Sequence, residues 1–324
     1  MTTCTIIGAG IAGLIAAQTL QKQGWSVVVL DKEREVGGRM ATRPIDDGLF
    51  DHGAQFFTVR NPRFQKWVDS WLTEGIAAEW TRGFANASGE TQIDGYPRYR
   101  GTGGMAAITR HLAQGLDIRL DQKVTDVCAQ NGLWAVHSEN DTFASEKLIL
   151  TAPVPQSLAL LDVGNVILPE KARKVLDMIE YYRCIALMVL LNEPSGIPSP
   201  GGMQINSEPI SWIGDNYQKE ISETYAVTIH ASPSFSHTYW DADSMEVARR
   251  LVDAAAKWIS ADVKKFEVYR WRYSQPILCY PQSCLFIDSP APLVFAGDAF
   301  AGPRVEGAAI SGMTAAETLL EIAK

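Results

Sequence analysis

Thr5-Ile6-Ile7-Gly8-Ala9-Gly10-Ile11-Ala12-Gly13 near the start of the chain, followed by Ser26-Val27-Val28-Val29-Leu30-Asp31, decides the fold. Thr5 to Gly8 reads as a short buried strand. An Ala-rich apolar pattern from Ile11 to about Gln23 reads as a helix, and Ser26 to Leu30 as a second strand. Strand, Gly-x-Gly-x-x-Gly, helix, strand, acid, with Asp31 18 residues past Gly13, is the order of a dinucleotide-binding βαβ unit. Gly8 permits the turn out of the strand. Gly10 lets the backbone approach a pyrophosphate, and Gly13 lets helix and strand pack closely. The helix start around Ala12 offers free N–H groups and a positive dipole end to phosphates. Asp31 accepts from ribose hydroxyls, with Lys32 beside it at the adenosine end.

The chain has 324 residues, enough for two domains or one large domain with an insertion. Hydrophobic residues make up 46% and charged residues 20%, an ordinary soluble, globular composition. A net charge of −8 argues against general binding to nucleic acid or anionic membrane, and leaves room for a local basic pocket. The five Cys form no Cys-x-x-Cys pair. Cys4 and Cys128 sit in apolar strand patterns and read as buried free thiols, which suits a reducing compartment. The five scattered His make no zinc spacing, so no metal is expected. There is no apolar run of 18 residues and no basic, then apolar, leader. The expectation is a cytoplasmic protein.

Past Asp31 comes Gly37-Gly38-Arg39. These glycines let the backbone pass close to a cofactor, and Arg39 can reach its phosphates, which tips the cofactor from NAD to FAD. Glycine fingerprint, acid and Gly-Gly-Arg together resemble the FAD-dependent amine-oxidase and phytoene-desaturase-like superfamily. Asp51-His52-Gly53-Ala54-Gln55-Phe56-Phe57-Thr58 is similar to the Gly-Ala-Gln-Tyr-Phe-Thr segment of renalases, with Phe56 where Tyr is usual. The resemblance implies that Gln55 and Phe56 lie beside the flavin. It also implies a backbone contact from Val124 to the adenine and a place for Asp298 against the ribityl and pyrophosphate. Arg304-Val305-Glu306-Gly307 then leads a last helix whose start faces the flavin pyrimidine ring. The turn Gly101-Thr102-Gly103-Gly104-Met105 has the wrong spacing for a second nucleotide fingerprint, and none occurs elsewhere.

Asn61 to Trp80 is predicted helical from the spacing of Phe64, Trp67, Val68, Trp71 and Leu72, and Gly83 to Tyr99 as hairpins. Three short strands between Val124 and Ala144 read as an antiparallel excursion, and Lys147 to Pro153 as a strand returning to the sheet. Strands at Cys184–Leu191, 210–214 and 225–231, with a helix from Ser244 to about Ser260, suggest an antiparallel sheet flanked by helices. The expected fold is α/β: a Rossmann-type FAD-binding domain (1–58, 101–155 and 285–324) with a second, α+β substrate domain (59–100 and 156–284). His230 on its strand can offer a neutral imidazole to a substrate amide. Trp271 and Tyr273 read as an aromatic wall, with Arg270 or Arg272 near phosphates. Phe57 and Tyr99 are further pocket candidates.

No Ser-Gly-Gly-Cys run precedes the last helix, so FAD is expected to be non-covalent. The renalase resemblance implies oxidation of 2- or 6-dihydro isomers of NAD(P), with hydride passing to flavin N5 and O2 as the final acceptor, giving hydrogen peroxide and β-NAD(P)+. Such a step needs no strong acid or base, in keeping with the lack of an obvious catalytic dyad. Two rivals stand beside it. One is an amine oxidase or desaturase on the same fold. Against amine oxidation, no lysine lies in the motifs around the expected flavin apart from Lys32. The other is a flavin-bearing redox sensor without turnover. A monomer is favoured.

Overall fold

The computed structural model describes residues 1–324. Its first sheet has six strands in the order Leu285–Ile287, Leu293–Phe295, Lys147–Leu150, Thr3–Ile7, Ser26–Leu30 and Asp117–Arg119. All pairs are parallel except that of the outermost Leu285–Ile287 strand. Parallel strands covered on both faces need apolar side chains throughout. Ile6, Val29, Leu30, Leu148, Ile149, Leu150, Leu293 and Val294 accordingly have no exposure. The first helix, Ile11–Lys22, and the last, Val305–Ile322, pack together through small residues. A Cβ on Gly312 would sit 2.2 Å from the Ala12 carbonyl oxygen, so only glycine allows that approach.

The antiparallel excursion is present as Val124–Gln130, Leu133–Ser138 and Thr142–Ser145. Val127, Trp134 and Val136 turn inward to a second part of the core. Cys128 lies on the opposite face and is half-exposed, not buried as its apolar run suggested.

The second domain is built on a seven-stranded sheet in the order Val263–Pro276, Tyr181–Leu191, Ala226–Ala231, Ile210–Asp215, Gly202–Ser207, Ala77–Asn86 and Thr91–Gly101. It departs from a purely antiparallel sheet at one pair, Met203 with Ala85 and Gln204 with Asn86, which run parallel. Helices Pro233–Thr238 and Ser244–Ala255 cover one face, and the Asp243 carboxylate caps the second by accepting from Met245 and Glu246 N–H. Along Tyr181–Leu191, Ile185, Leu187, Val189 and Leu191 pack towards these helices, while Met188 and Leu190 pack on Ile45 and Phe50. That alternation aims Thr228 and His230, paired with Met188 and Ala186, at the segment that follows Phe50.

Two local expectations change, and one strand is found that the sequence pattern did not predict. The helix predicted over Asn61–Trp80 ends at Thr73, and Ala77 already begins a strand that pairs with Gly101. Sheet pairing overrides the helical spacing there. The helix predicted to about Ser260 stops at Ala255. Gly202–Ser207, in a stretch opened by a Pro/Gly/Ser loop, is a strand.

Candidate functional site

The first helix starts at Gly10 with no side-chain cap and no acid in its first turn. Its first N–H groups therefore lack partners within the helix, and the first bond is Leu14 N–H to the Gly10 carbonyl at 3.0 Å. A Cβ on Gly10 would meet nothing within 4 Å, so the backbone there is open to a ligand. A Cβ on Gly13 would sit 2.0 Å from the Gly8 carbonyl oxygen, and one on Gly8, at φ +112°, 2.4 Å from Thr151 Oγ1. Asp31 accepts from Ala9 N–H at 2.6 Å and Glu33 N–H at 2.9 Å, which ties the acid to the fingerprint loop. Burial pushes its carboxyl up from the usual value, against those two bonds. Lys32 is exposed beside it. Gln122 N–H donates to the Asp31 carbonyl at 2.9 Å and brings Val124 to this end of the site.

Gly38, at φ +52°, faces the Gly10 Cα. Arg39 forms a forked pair with Asp298, with Nη2 to Oδ1 at 2.7 Å, and its Nη1 also donates to the Ser274 carbonyl at 3.2 Å. Burial opposes the Arg39 charge, and the adjacent Asp298 carboxylate raises its pKa in return. Two motifs at opposite ends of the chain thus meet at one ion pair. The last helix begins after Arg304 with no side-chain cap. Glu306 accepts from Arg60 and Asn61 N–H, each at 2.7 Å, and so ties residues 60–61 to that helix start. A cleft of about 330 Å³ lies here, lined by Asn61, Tyr280, Phe300, Gly302, Glu306 and Gly307 among others.

Between these ends runs Asp51 to Phe57. Ala54 N–H donates to the Arg39 carbonyl at 2.8 Å. The fully buried Asp51 carboxylate accepts from Thr42 Oγ1, from Met105 N–H at 2.8 Å and from Lys219 Nζ at 2.5 Å. The Gly101–Met105 turn therefore presents a backbone donor to Asp51. Lys219, also fully buried, donates in addition to the Gln55 carbonyl. Burial lowers its pKa, and the Asp51 charge opposes that fall. Thr228 Oγ1 donates to the Asp51 carbonyl at 3.1 Å, and Trp271 Nε1 to the His52 carbonyl at 2.8 Å. His230 Nε2 faces the same His52 carbonyl at 3.1 Å, which makes it the protonated nitrogen. Burial drives both His52 and His230 down to about 4, so both are neutral at pH 7.

Lys219 was not legible in the sequence, and its presence beside Gln55 corrects the expectation of no lysine near the site. Its neighbours Asp215-Asn216-Tyr217-Gln218 read as a polar, solvated turn. Phe56, Trp80, Phe84 and Trp212 form an aromatic cluster next to Gln55, with ring centroids 4.7–6.5 Å apart. Lys219 Nζ lies 5.0 Å from the Trp80 ring centre and the Arg98 guanidinium 5.4 Å from that of Phe84.

Other candidates fall elsewhere. Phe57 and Tyr99 stack on each other with Phe64 and Trp71 in the core, rather than lining a pocket. Trp271 stacks on His52, and Tyr273 packs edge-on against Tyr181. Arg270 does not face the cofactor region: it bonds the Trp240 and Ala242 carbonyls and Ser244 Oγ. Arg272 is exposed. Linear spacing also missed a cross-strand cluster, Asp126, Cys128 and His137, whose donor atoms lie within 4.8 Å of one another, with Asp126 bonded to His137 Nδ1 at 2.6 Å.

Comparison with known proteins agrees with this geometry. Residues 6–71 match an NAD(P)-binding Rossmann-like domain, and residues 70–320 match the flavin containing amine oxidoreductase family. Putrescine oxidase of Kocuria rosea is 36% identical over 64 residues, 20% of this chain and 13% of that one. Hydroxyneurosporene desaturase of Rubrivivax gelatinosus is 30% identical over 116 residues, 36% of this chain and 18% of that one. The matched stretches cover less than a fifth of these relatives' own lengths. Among solved structures, an Exiguobacterium sp. 255-15 protein assigned as a protoporphyrinogen oxidase has a TM-score of 0.76 at 14% identity, covering 100% of this chain and 99% of its own. A redesigned putrescine oxidase has a TM-score of 0.74 at 16% identity, covering 99% and 100%. The fingerprint, the Arg39–Asp298 junction and the match over 70–320 lead to one conclusion: the chain belongs to the flavin containing amine oxidoreductase family.

Proposed function

We propose that this flavin oxidoreductase oxidises the 2- or 6-dihydro isomers of NAD(P), with O2 as the final acceptor and hydrogen peroxide and β-NAD(P)+ as products. One observation carries the choice of a neutral ring over an amine. An aromatic cluster that receives a cationic amine must keep a ring face free for it. Here two of the rings, Trp80 and Phe84, already carry the protein's own Lys219 and Arg98. Lys219 is paired with Asp51 and Arg98 with Asp94, so what a second cation loses here is the two ring faces already taken, whereas an uncharged dihydropyridine ring needs only flat apolar surface.

FAD is the cofactor, and the residues fit it. The open approach at Gly10, the uncapped start of the first helix and Asp31 suit its adenosine and pyrophosphate. Gly38, Arg39 and Asp298 follow along the same path, and the uncapped start of the last helix suits an anionic ring edge. When bound, FAD supplies the hydride acceptor. The chain's residues orient the donor ring, with His52 and His230 neutral at pH 7 and so without an imidazolium proton to give as an acid.

An amine oxidase or desaturase is the second reading, favoured by the named relatives on this fold and by Lys219 beside an aromatic cluster, which removes the objection that no lysine lies near the site. Oxygen consumption separates the two. The protein is expected to consume O2 with 2- and 6-dihydro-NAD(P) and to leave β-NADH and putrescine untouched. Turnover of putrescine with neither isomer oxidised contradicts the proposal.

A further inference from the structure

The cross-strand cluster on the antiparallel excursion gathers three metal-ligating side chains. Asp126 and Cys128 stand two residues apart on the strand Val124–Gln130, so their side chains leave the same face. His137, on the strand Leu133–Ser138, is the registered partner of Asp126 and joins them there. The opposite face is anchored, since Val127, Trp134 and Val136 have no exposure and hold the hairpin to the core. The donor atoms of the three residues lie within 4.8 Å of one another. Around a tetrahedral ion with bonds of about 2.0–2.3 Å, ligand atoms stand roughly 3.3–3.8 Å apart, so side-chain rotation alone can close the set. An ion can reach it: the Asp126 and His137 side chains keep 25% and 33% of their surface exposed, and Cys128 is half-exposed. Neighbours orient two of the three donors. Gln130 Nε2 donates to Cys128 Sγ at 3.4 Å, and Thr125 Oγ1 to Asp126 Oδ2 at 3.1 Å.

We propose that Asp126, Cys128 and His137 bind a divalent ion of the zinc class. A thiolate, an imidazole and a carboxylate together select a borderline-soft ion such as Zn2+ over Mg2+ or Ca2+, which take oxygen ligands. Asp126 Oδ1 accepts from His137 Nδ1 at 2.6 Å. The ion takes the place of that Nδ1 proton, which moves to Nε2, so His137 binds as a neutral imidazole. The Cys128 thiol proton is released to solvent as the metal–sulfur bond forms. Three protein donors leave a fourth position for water, which makes the ion exchangeable. It clamps the two strands together and takes no part in hydride transfer. Linear spacing hides such a site, because two ligands come from one strand and the third from across the ladder.

The FAD-loaded protein, cleared of metal with a chelator, is titrated with ZnCl2 by calorimetry. It is also titrated with CoCl2, following absorbance to the red of the flavin bands, where tetrahedral Co2+ absorbs strongly. About one ion per chain is expected, with Zn2+ displacing Co2+ and excess Mg2+ displacing neither. Cys128→Ser and His137→Gln should each weaken Zn2+ by about tenfold or more. Cys279→Ser, which removes an exposed thiol outside the cluster, should bind Zn2+ as the wild type does. Retention of FAD reports that each variant is folded. A measurement on the wild type alone stands beside the variants: Zn2+ should slow iodoacetamide labelling of Cys128 by about tenfold or more and leave that of Cys279 unchanged, read by peptide mass spectrometry. Absence of Zn2+ binding by the wild type overturns the inference. So does unchanged binding in Cys128→Ser, or labelling of Cys128 as fast with Zn2+ as without it. Loss of binding in Cys279→Ser also overturns it, since the ion then sits elsewhere.

Discussion

At the residue scale, the Asp51–Lys219 pair is the feature with most at stake. Both side chains are fully buried, and each satisfies the other while also holding Thr42, Met105 and the Gln55 carbonyl. Removing one partner strands a charge. Lys219→Met should lower unfolding stability by roughly 3–5 kcal/mol in denaturant titration, and Asp51→Asn with Lys219→Met should recover most of it. Equal losses in single and double variants would contradict the pairing. The histidines make a second prediction. His52 and His230 are depressed from 6.5 to about 4 in the folded protein. Between those values the unfolded chain binds more protons, so stability rises with pH across this window and is lost as pH falls through it. The loss, at most about 3 kcal/mol per histidine, should shift the denaturation midpoint between pH 7 and pH 4, and His230→Gln should remove part of that shift.

At the scale of elements, the strand, glycine loop and first helix were legible because spacing there is set by backbone geometry. Gly8 to Asp31 form the elements they spell, and the Gly-Asp at 297–298 ends beside them. The second and third fingerprint glycines predict different phenotypes. Gly13→Ala places a Cβ 2.0 Å from the Gly8 carbonyl oxygen and should cost about 1–3 kcal/mol of stability even without cofactor. Gly10→Ala meets no protein atom, so the apoprotein should unfold at the same denaturant concentration. FAD affinity should fall by about tenfold or more as the methyl group blocks the phosphate approach. Isothermal titration of FAD into each apoprotein, beside its unfolding curve, checks both. In the second domain the elements were less legible. The aromatic spacing past Thr73 suits a helix, but residues 77–86 find strand partners on both sides, and a local pattern carries no record of such partners.

At the scale of the whole molecule, the site is assembled from segments that no linear motif joins. Arg39 and Asp298 announced themselves as separate glycine-rich motifs, yet their contact is a tertiary fact. Lys219 and Trp212 gave no signal, because a lysine in a polar turn reads as solvated and a tryptophan in an apolar strand reads as core. Phe57 and Tyr99 erred in the opposite direction: aromatic residues next to a cofactor motif suggested a pocket, and packing took them into the core. What the sequence alone could not weigh is that Lys219 and Arg98 already lie over two rings of the aromatic cluster, and that occupancy is what favours a neutral ring as substrate. The direct measurement is anaerobic rapid mixing of the FAD-loaded protein with 2-dihydro-NAD, 6-dihydro-NAD, β-NADH and a panel of amines, following loss of oxidised flavin absorbance. The account predicts bleaching by the two isomers at least roughly a hundredfold faster than by β-NADH or any amine. Bleaching by an amine alone would contradict it.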